Sequence, residues 1–240
     1  QTELSNIGTQ HQENCCIPFG TSLISCSLSI TTQTELSLSQ EDLIVLLECM
    51  MADQKLVVEL EGGGSGEPGH SNRVFCVKFD VNDPNFVISG GWDNNIKIWD
   101  IRTGNVLRSI YGPYICGDSV DISNGVIMAA HTETPLLSSF GNTDLENLAD
   151  IAWDEGLPSE KPCLLYACQF EKNAGDLVIA GGSGSNEVKV FDANQEFKPC
   201  AQIKDLSRAC FSVDWSNSGD MFAMGGGDGV IRVFNVINEV

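Results

Sequence analysis

The sequence has 240 residues and a formal net charge of −20, from 13 Lys and Arg against 33 Asp and Glu. Its length allows a sizeable core, and 42% hydrophobic with 19% charged residues is typical of a globular rather than a disordered protein. So acidic a surface repels phosphate groups, which argues against nucleic-acid binding and against anionic membranes. The 24 glycines beside 8 prolines indicate many tight turns, as in all-β proteins.

The ten cysteines show neither a CxxC pair nor a Cys/His cluster with zinc-ligand spacing, so no metal or other cofactor is expected. Most lie singly in apolar runs, where a free cysteine acts as a small core residue, and a disulfide scaffold is the weaker interpretation. No run of 18 apolar residues and no basic-then-apolar leader is visible. We therefore expect a cytoplasmic protein with reduced thiols, with the nucleus and cytoskeletal or ciliary assemblies as alternatives.

The first 61 residues give the weakest β pattern, a degenerate first unit. Residues 22–39 alternate and are rich in Ser and Thr, and residues 55–60 are typical of a strand. Residues 42–51 are ambiguous, because their apolar residues also follow a helical spacing behind a start that resembles a capping box. We favour a strand there, since residues 55–60 need an antiparallel neighbour.

Residues 62–69 form a Gly-rich connection. Residues 64–69 formally match the G-x-G-x-x-G dinucleotide fingerprint, but that fingerprint requires a helix immediately after it. Pro68 and then a β-rich run occupy this place, so we expect a link between two units and no nucleotide site.

Residues 69–111 carry the clearest pattern, four short β-rich runs separated by turn residues. The runs are residues 73–79, 86–90, 96–100 and 106–110. The third run recurs at residues 188–192 and 231–235, each time after a Gly-rich turn. Trp99, Phe140, Phe191 and Phe234 follow one another at intervals of roughly 40–50 residues, the period of four-stranded propeller blades. Further units are therefore predicted at residues 112–160, 161–204 and 205–240, the last without a fourth strand.

Two dipeptides of the best unit, Gly69-His70 and Trp99-Asp100, resemble those that open and close the repeats of WD-repeat β-propellers. The resemblance is strong over residues 69–111, moderate over 161–240 and weak elsewhere. It implies an all-β propeller of four-stranded antiparallel blades, with about five blades visible in a single domain over residues 1–240. Since most members of that family have seven blades, we expect an incomplete ring from a longer protein. The alternative is a compact ring that the N-terminal segment closes by pairing with residues 230–236.

The resemblance also implies a structural network of four side chains inside the best blade, formed by His70, Ser89, Asp93 and Trp99. The Trp99 indole would donate to the Ser89 hydroxyl, and His70 would join that hydroxyl to the Asp93 carboxylate. A Ser-His-Asp hydrolase is the alternative. We expect no catalysis, because Trp99 would occupy the hydroxyl and no G-x-S-x-G elbow is present.

The other blades lack most of this network. Ala129 and Glu133 stand at the Ser and Asp positions of residues 112–153, and Ala180 stands at the Ser position of the next blade. The last blade keeps only Asp228. Away from these positions, His131 is isolated and is expected to be an ordinary surface or hydrogen-bonded residue.

Three residues are candidates for binding a partner. Trp92, just outside the second strand, is either an exposed anchor at one rim of the disc or packed against a neighbouring blade. Residues 99–102 resemble the W-D-x-R motif of propellers that act as substrate receptors of cullin–RING ubiquitin ligases. There, the resemblance implies, the Arg docks on an adaptor, so Asp100 and Arg102 are candidates, with a solvated strand end as the alternative. The acidic residues between 144 and 160 are expected to form a solvated loop rather than a cation or basic-peptide site.

The sequence therefore predicts a non-catalytic WD-repeat scaffold for protein–protein assembly. Its charge favours partners with basic peptides or patches through electrostatic steering. A ubiquitin-ligase receptor acting through Arg102 is the alternative, and a propeller enzyme is a more remote one. We expect no small-molecule substrate, nucleic acid or membrane as partner.

Overall fold

The computed structural model describes residues 15–19, 22–27, 47–51, 56–63, 66–141, 146–153 and 162–236, with side chains from residue 58 onward. These residues form nineteen strands in five antiparallel sheets. Within the described ranges the only helical element is one short 3-10 turn, Ala193–Gln195, and nothing in them is a helix long and apolar enough to cross a membrane. The predicted all-β class with four-stranded antiparallel blades is confirmed.

Each sheet is a meander in which strands consecutive in the chain are neighbours. The first contains β1 (Cys15–Phe19), β2 (Ser22–Ser27), β3 (Leu47–Met51) and β4 (Leu56–Leu60). The second contains β5 (Val74–Phe79), β6 (Phe86–Gly91), β7 (Asn95–Asp100) and β8 (Asn105–Tyr111). The third contains β9 (Val120–Ser123), β10 (Val126–Ala130), β11 (Leu136–Gly141) and β12 (Asn147–Ala152). The fourth contains β13 (Leu164–Phe170), β14 (Leu177–Ser183), β15 (Val188–Asp192) and β16 (Lys198–Ile203), and the fifth β17 (Cys210–Trp215), β18 (Met221–Gly226) and β19 (Ile231–Asn235).

The first sheet differs from its prediction in where the early strands begin. These strands are β1 and β2, and β1 starts at Cys15, upstream of the predicted residues 22–39. Residues 28–39 lie outside the described residues. β1 and β2 pair antiparallel, from Cys15 opposite Cys26 to Phe19 opposite Ser22. The ambiguous segment is a strand over Leu47–Met51, because β3 pairs with β4 from Leu47 opposite Leu60.

Alternating burial along the strands builds the core between successive sheets. The first strands β5, β9, β13 and β17 are neighbours in that order, so these four sheets follow one another around a common inner edge. Between the second and third sheets, Ile96 and Ile98 of β7 belong to one cluster with Val120 and Ile122 of β9. Full burial of each such side chain contributes roughly 1.5–3 kcal/mol, so the contacts between sheets are the main source of stability.

The fifth sheet keeps one side open. Ile231 and Val233 of β19 are 77% and 63% exposed, whereas the matching Ile96 and Ile98 of β7 are 0% and 6% exposed because the third sheet covers them. Among the described residues, β19 pairs with β18 alone. Residues 1–14, at the start of the N-terminal segment considered for closing the ring, lie outside the described residues.

Candidate functional site

Four polar side chains meet inside the second sheet. Trp99 Nε1 donates to Ser89 Oγ at 2.8 Å, and His70 Nε2 lies 2.7 Å from the same oxygen. His70 Nδ1 lies 2.8 Å from Asp93 Oδ2. A carboxylate only accepts, so His70 donates from Nδ1 to Asp93, and Ser89 donates its hydroxyl hydrogen to Nε2. Every polar atom of this chain of hydrogen bonds is satisfied with a neutral imidazole.

The local backbone places each member of this network. Ser89 lies on β6 and Trp99 on β7, while Asp93 occupies the turn between those strands. Asn94 holds that turn with φ at 57°, a left-handed conformation that Asn tolerates. Burial alone would raise the pKa of Asp93, but hydrogen bonds from His70 and from the backbone N–H of Ser71 hold it below its ordinary value.

Burial argues against a hydrolase role for this Ser-His-Asp set. Ser89 is 0% exposed, so no substrate carbonyl can approach its oxygen. Its hydroxyl accepts from Trp99 and donates to His70, so the Trp99 indole occupies one of its two lone pairs and holds the oxygen inside the blade. The set fastens β6 and β7 to the connection that carries His70.

Sequence reasoning missed a second polar group, in the third sheet. Ser138 Oγ donates to Asp150 Oδ1 at 2.7 Å and lies 3.0 Å from His131 Nε2, so His131 donates to Ser138. Burial lowers the pKa of His131, which the Asp150 carboxylate partly offsets. His131 was expected to be a surface or hydrogen-bonded residue, but its partners were not predictable, because they lie on β11 and β12 and only strand pairing brings them near.

Asp100 and Arg102 form a local clasp. Arg102 donates from Nε to Asp100 Oδ1 and from Nη2 to Oδ2, both at 2.9 Å, and its backbone N–H also reaches Oδ1 at 3.0 Å. These hydrogen bonds lower the pKa of the Asp100 carboxyl. Asp100 is buried, whereas the Arg102 side chain is 62% exposed at the turn from β7 to β8.

The three candidate partner-binding residues do not form one surface. Trp92 precedes β7 and Arg102 follows it, so the length of that strand separates them and places them at opposite ends of the sheet. Asp100 lies at the Arg102 end. A partner that contacts Trp92 therefore binds a different face from one that contacts Arg102.

Trp92 is partly buried, so it lies between the two alternatives drawn from the sequence, an exposed anchor at the rim and a residue packed against its neighbours. Its ring packs on Phe75 at 4.8 Å between centroids and lies nearly parallel to Tyr114 at 6.3 Å. The guanidinium of Arg73 lies 5.4 Å from its centroid. Trp92 Nε1 is shielded from solvent and has no hydrogen-bond partner among the described residues. The indole is thus fixed at the rim with one donor unused.

Charged side chains also line the inner strands, which sequence reasoning missed. Lys78 Nζ of β5 lies 2.8 Å from Asp118 Oδ2 just before β9, and the Cys76 thiol donates to the other Asp118 oxygen at 3.1 Å. Asp121 of β9 accepts the backbone N–H of Phe170 on β13 at 2.7 Å. Burial raises the pKa of Asp121 to about 6, against the nearby charge of Lys78. These contacts join three successive sheets.

The Asp121 carboxyl predicts a pH dependence of stability. Between about pH 4 and pH 6 the folded protein holds a proton that the unfolded chain releases, so this contribution to stability falls as the pH rises. Asp121→Asn removes that penalty and keeps an amide oxygen for Phe170. We expect it to raise the free energy of unfolding by about 1–2 kcal/mol at about pH 7.5 and to leave it unchanged at about pH 4. Urea titrations measure the change in the free energy of unfolding at each pH. Equal changes at the two pH values would contradict the raised pKa of Asp121.

The described residues hold no group of three His, Cys, Asp or Glu side chains arranged for a metal ion. The six cysteines with described side chains are all free thiols: Cys76, Cys116, Cys163, Cys168, Cys200 and Cys210. Of the acidic stretch at 144–160, residues 144–145 and 154–160 lie outside the described part of the chain. Where the stretch is described, Asp150 is engaged by Ser138.

Comparison with known proteins supports the repeat assignment. The family model for the "WD domain, G-beta repeat" matches residues 65–100 and 200–235. The small ribosomal subunit protein RACK1y of Oryza sativa subsp. japonica is 27% identical over 183 residues, which cover 72% of this chain and 50% of that protein. Eukaryotic translation initiation factor 3 subunit I of Bos taurus is 24% identical over 177 residues, with 70% and 51% covered. The chain spans about half the length of these curated relatives.

A solved structure shows the same fold. A chain in the crystal structure of the mitotic checkpoint complex superposes with a TM-score of 0.68 at 12% sequence identity. The match covers 93% of this chain and 61% of that one. At so low an identity the likeness concerns the arrangement of blades alone.

Proposed function

We propose that this chain, which belongs to the WD-repeat β-propeller family, is a non-catalytic scaffold on which other proteins assemble. One observation carries the proposal: the Ser89 and His70 side chains are engaged in internal hydrogen bonds inside a blade, whereas aromatic side chains of the described residues remain partly exposed where connections between strands meet. Loops held by a rigid set of strands are common recognition surfaces. The relatives named above are subunits of the ribosome and of a translation initiation factor, which supports a role within assemblies.

Charge indicates the kind of partner. A net charge of −20 attracts basic segments and accelerates their encounter with the scaffold, while it repels nucleic acid and anionic lipid. We place this function in the cytoplasm, because the relatives named above are components of the translation machinery. Partners with basic peptides or patches are therefore those to look for.

The test is an affinity purification of the tagged protein from lysate at two salt concentrations. We expect stable partners rich in basic segments at about 0.1 M salt and their loss at about 0.5 M, since the Debye length shortens from roughly 10 Å to a few Å. A purification that returns no partner above a tag-only control of matched net charge would contradict the scaffold function.

The ligase-receptor alternative is tested in the same experiment. The Arg102 guanidinium is exposed, but its Nε and Nη2 donors already engage Asp100, so an adaptor would have to recruit the remaining donors. Recovery of a cullin adaptor that Arg102→Ala abolishes and Arg108→Ala preserves would favour the receptor. Arg108 is the matched control, an exposed arginine of β8 in the same sheet. We expect both variants to retain the partners of the wild type.

A further inference from the structure

Three inner strands carry an aromatic residue at the same place. The pairing of each first strand with its second slips by one residue, between Val74 and Cys76, between Leu165 and Ala167, and between Cys210 and Ser212. The unpaired residues are Phe75, Tyr166 and Phe211. A β-bulge of this kind changes the direction of its side chain, which no longer follows the alternation of side chains between the two faces of the sheet. Because all three lie near the start of an inner strand, they face the same end of the disc.

These residues join Trp92 and Tyr114 in a surface that we call the aromatic rim: Phe75, Trp92, Tyr114, Tyr166 and Phe211. Phe75 packs on Trp92, which lies parallel to Tyr114, and Tyr166 meets Phe211 edge-on with centroids 5.3 Å apart. Phe211 is 51% exposed, and Phe75, Tyr114 and Tyr166 are partly exposed. The rim therefore presents aromatic rings to solvent on at least three sheets.

Hydrogen bonds connect the two halves of the rim across the third sheet. The backbone N–H of Thr132 donates to the Tyr114 carbonyl at 3.1 Å. The hydroxyl of the same Thr132 donates to the Leu165 carbonyl at 2.9 Å, directly before Tyr166. Thr132 is buried, so the halves are held at a fixed separation.

A carboxylate stands beside these rings. Glu133 follows Thr132 and is exposed, and it occupies the turn position that Asp93 holds in the second sheet. The backbone N–H of Thr132 donates to the Tyr114 carbonyl, which brings the neighbouring Glu133 close to Tyr114. Burial and the Glu133 charge together raise the pKa of the Tyr114 hydroxyl. No ion pair engages Glu133 within the part of the chain that the structure describes. Aromatic faces beside an unpaired carboxylate are the chemistry that binds a cation.

Arg73 shows which cation suits the rim. Its guanidinium carbon lies over the Trp92 ring, 5.4 Å from the ring centroid, so the rim already accepts one guanidinium. Because Arg73 already occupies the Trp92 side, a second guanidinium is directed toward Tyr114, where Glu133 balances its charge.

We propose that the aromatic rim and Glu133 together bind an arginine side chain of an extended basic peptide. The proposal rests on the scaffold function and locates its peptide site. The net charge of −20 brings such peptides to the surface, and the Tyr114 ring beside Glu133 receives the arginine guanidinium. The Arg102 end of the disc has a less suitable surface, because Asp100 is already neutralised by its own arginine.

Trp92 provides the reporter for the test. The protein has 4 tryptophans, and Trp99, Trp153 and Trp215 are 0%, 1% and 1% exposed, so a soluble peptide changes chiefly the emission of Trp92. The probe is acetyl-Gly-Ser-Arg-Gly-Ser-amide, and its control has citrulline, the neutral analogue of arginine, at the central position. We expect a saturable change in emission with the arginine peptide and about tenfold weaker binding of the citrulline peptide.

Three variants of the protein assign the effect to the rim. Glu133→Gln removes the charge and Tyr114→Leu removes the aromatic face, and each is expected to weaken arginine binding about threefold. Glu196→Gln removes an equal charge from an exposed residue in the turn after β15, at the opposite end of the disc, and is expected to bind as the wild type. Far-UV circular dichroism verifies that each variant is folded.

The outcomes separate this proposal from the scaffold function. Equal binding of the arginine and citrulline peptides, no saturable change, or wild-type affinity in both rim variants would overturn the arginine site. If such variants still recover the salt-sensitive partners from lysate, the scaffold function stands and its site lies elsewhere. Loss of those partners in Glu133→Gln but not in Glu196→Gln would support both.

Discussion

Replacing Trp99 by alanine is expected to lower the free energy of unfolding by about 3–5 kcal/mol. The side chain is 0% exposed and packs with Leu60, Phe79 and Val87. Its loss therefore leaves a large cavity in a cluster that joins the first and second sheets. It also leaves the buried Ser89 hydroxyl without its donor. Urea denaturation followed by far-UV circular dichroism measures the change.

Trp99→Phe separates the two contributions. Phenylalanine retains much of the apolar volume but cannot donate to Ser89, so we expect a loss of about 1–2 kcal/mol plus a smaller packing term. Phe191 occupies the corresponding position of the fourth sheet, where Ala180 replaces the serine, which shows that the strand accepts phenylalanine when no hydroxyl needs a donor. A loss below about 1 kcal/mol for Trp99→Ala would show that the network does not support the fold.

Gly182→Ala is expected to cost about 3 kcal/mol, the second large effect. A Cβ atom there would lie 2.0 Å from the carbonyl oxygen of Leu164 and 2.6 Å from its carbon. Both atoms are backbone, and Gly182 pairs with Leu165 beside the bulge of β13, so one strand must move to admit the methyl group. The movement would disturb the inner edge of the fourth sheet.

Gly225→Ala is the matched control in the fifth sheet. A Cβ at Gly225 meets nothing within 4 Å, and the residue lies in β18 as Gly182 lies in β14. Alanine restricts the unfolded chain more than glycine does, so we expect the control to be neutral or stabilising by roughly 0.4–1 kcal/mol. Thermal unfolding of the two variants side by side tests the contrast. Similar midpoints would mean that the strands of the fourth sheet yield to the added methyl group.

The repeat pattern predicted much of the fold, because the strands of one blade are consecutive in the sequence. The third strands at residues 96–100, 188–192 and 231–235 lie in β7, β15 and β19, since alternating apolar residues before an aromatic one specify a half-buried strand. The structure also brings His70, Ser89, Asp93 and Trp99 into hydrogen-bonding contact, as the motif implies. Both depend on residues within one unit of the chain.

Features that depend on how sheets meet were not predictable in the same way. The pairing of Lys78 with Asp118 crosses from the second sheet to the third, and nothing near either residue in the sequence specifies the other. The positions of Phe75, Tyr166 and Phe211 reflect a slip in strand register, which hydrophobic alternation does not reveal. The Arg102 clasp is the opposite case: it is local, and its spacing from Asp100 could have indicated it.

The order of the inner strands has a consequence during synthesis. The second, third and fourth sheets each share a core cluster with the sheet that follows in the chain, as Ile96 and Ile98 do with Val120. A sheet that has just left the ribosome therefore exposes one apolar face until the next one is made. At about 5–20 residues per second, the roughly 40 residues of a blade take several seconds. Over that interval the newest sheet is the one most in need of a chaperone. Each following sheet then covers the apolar face of the sheet before it.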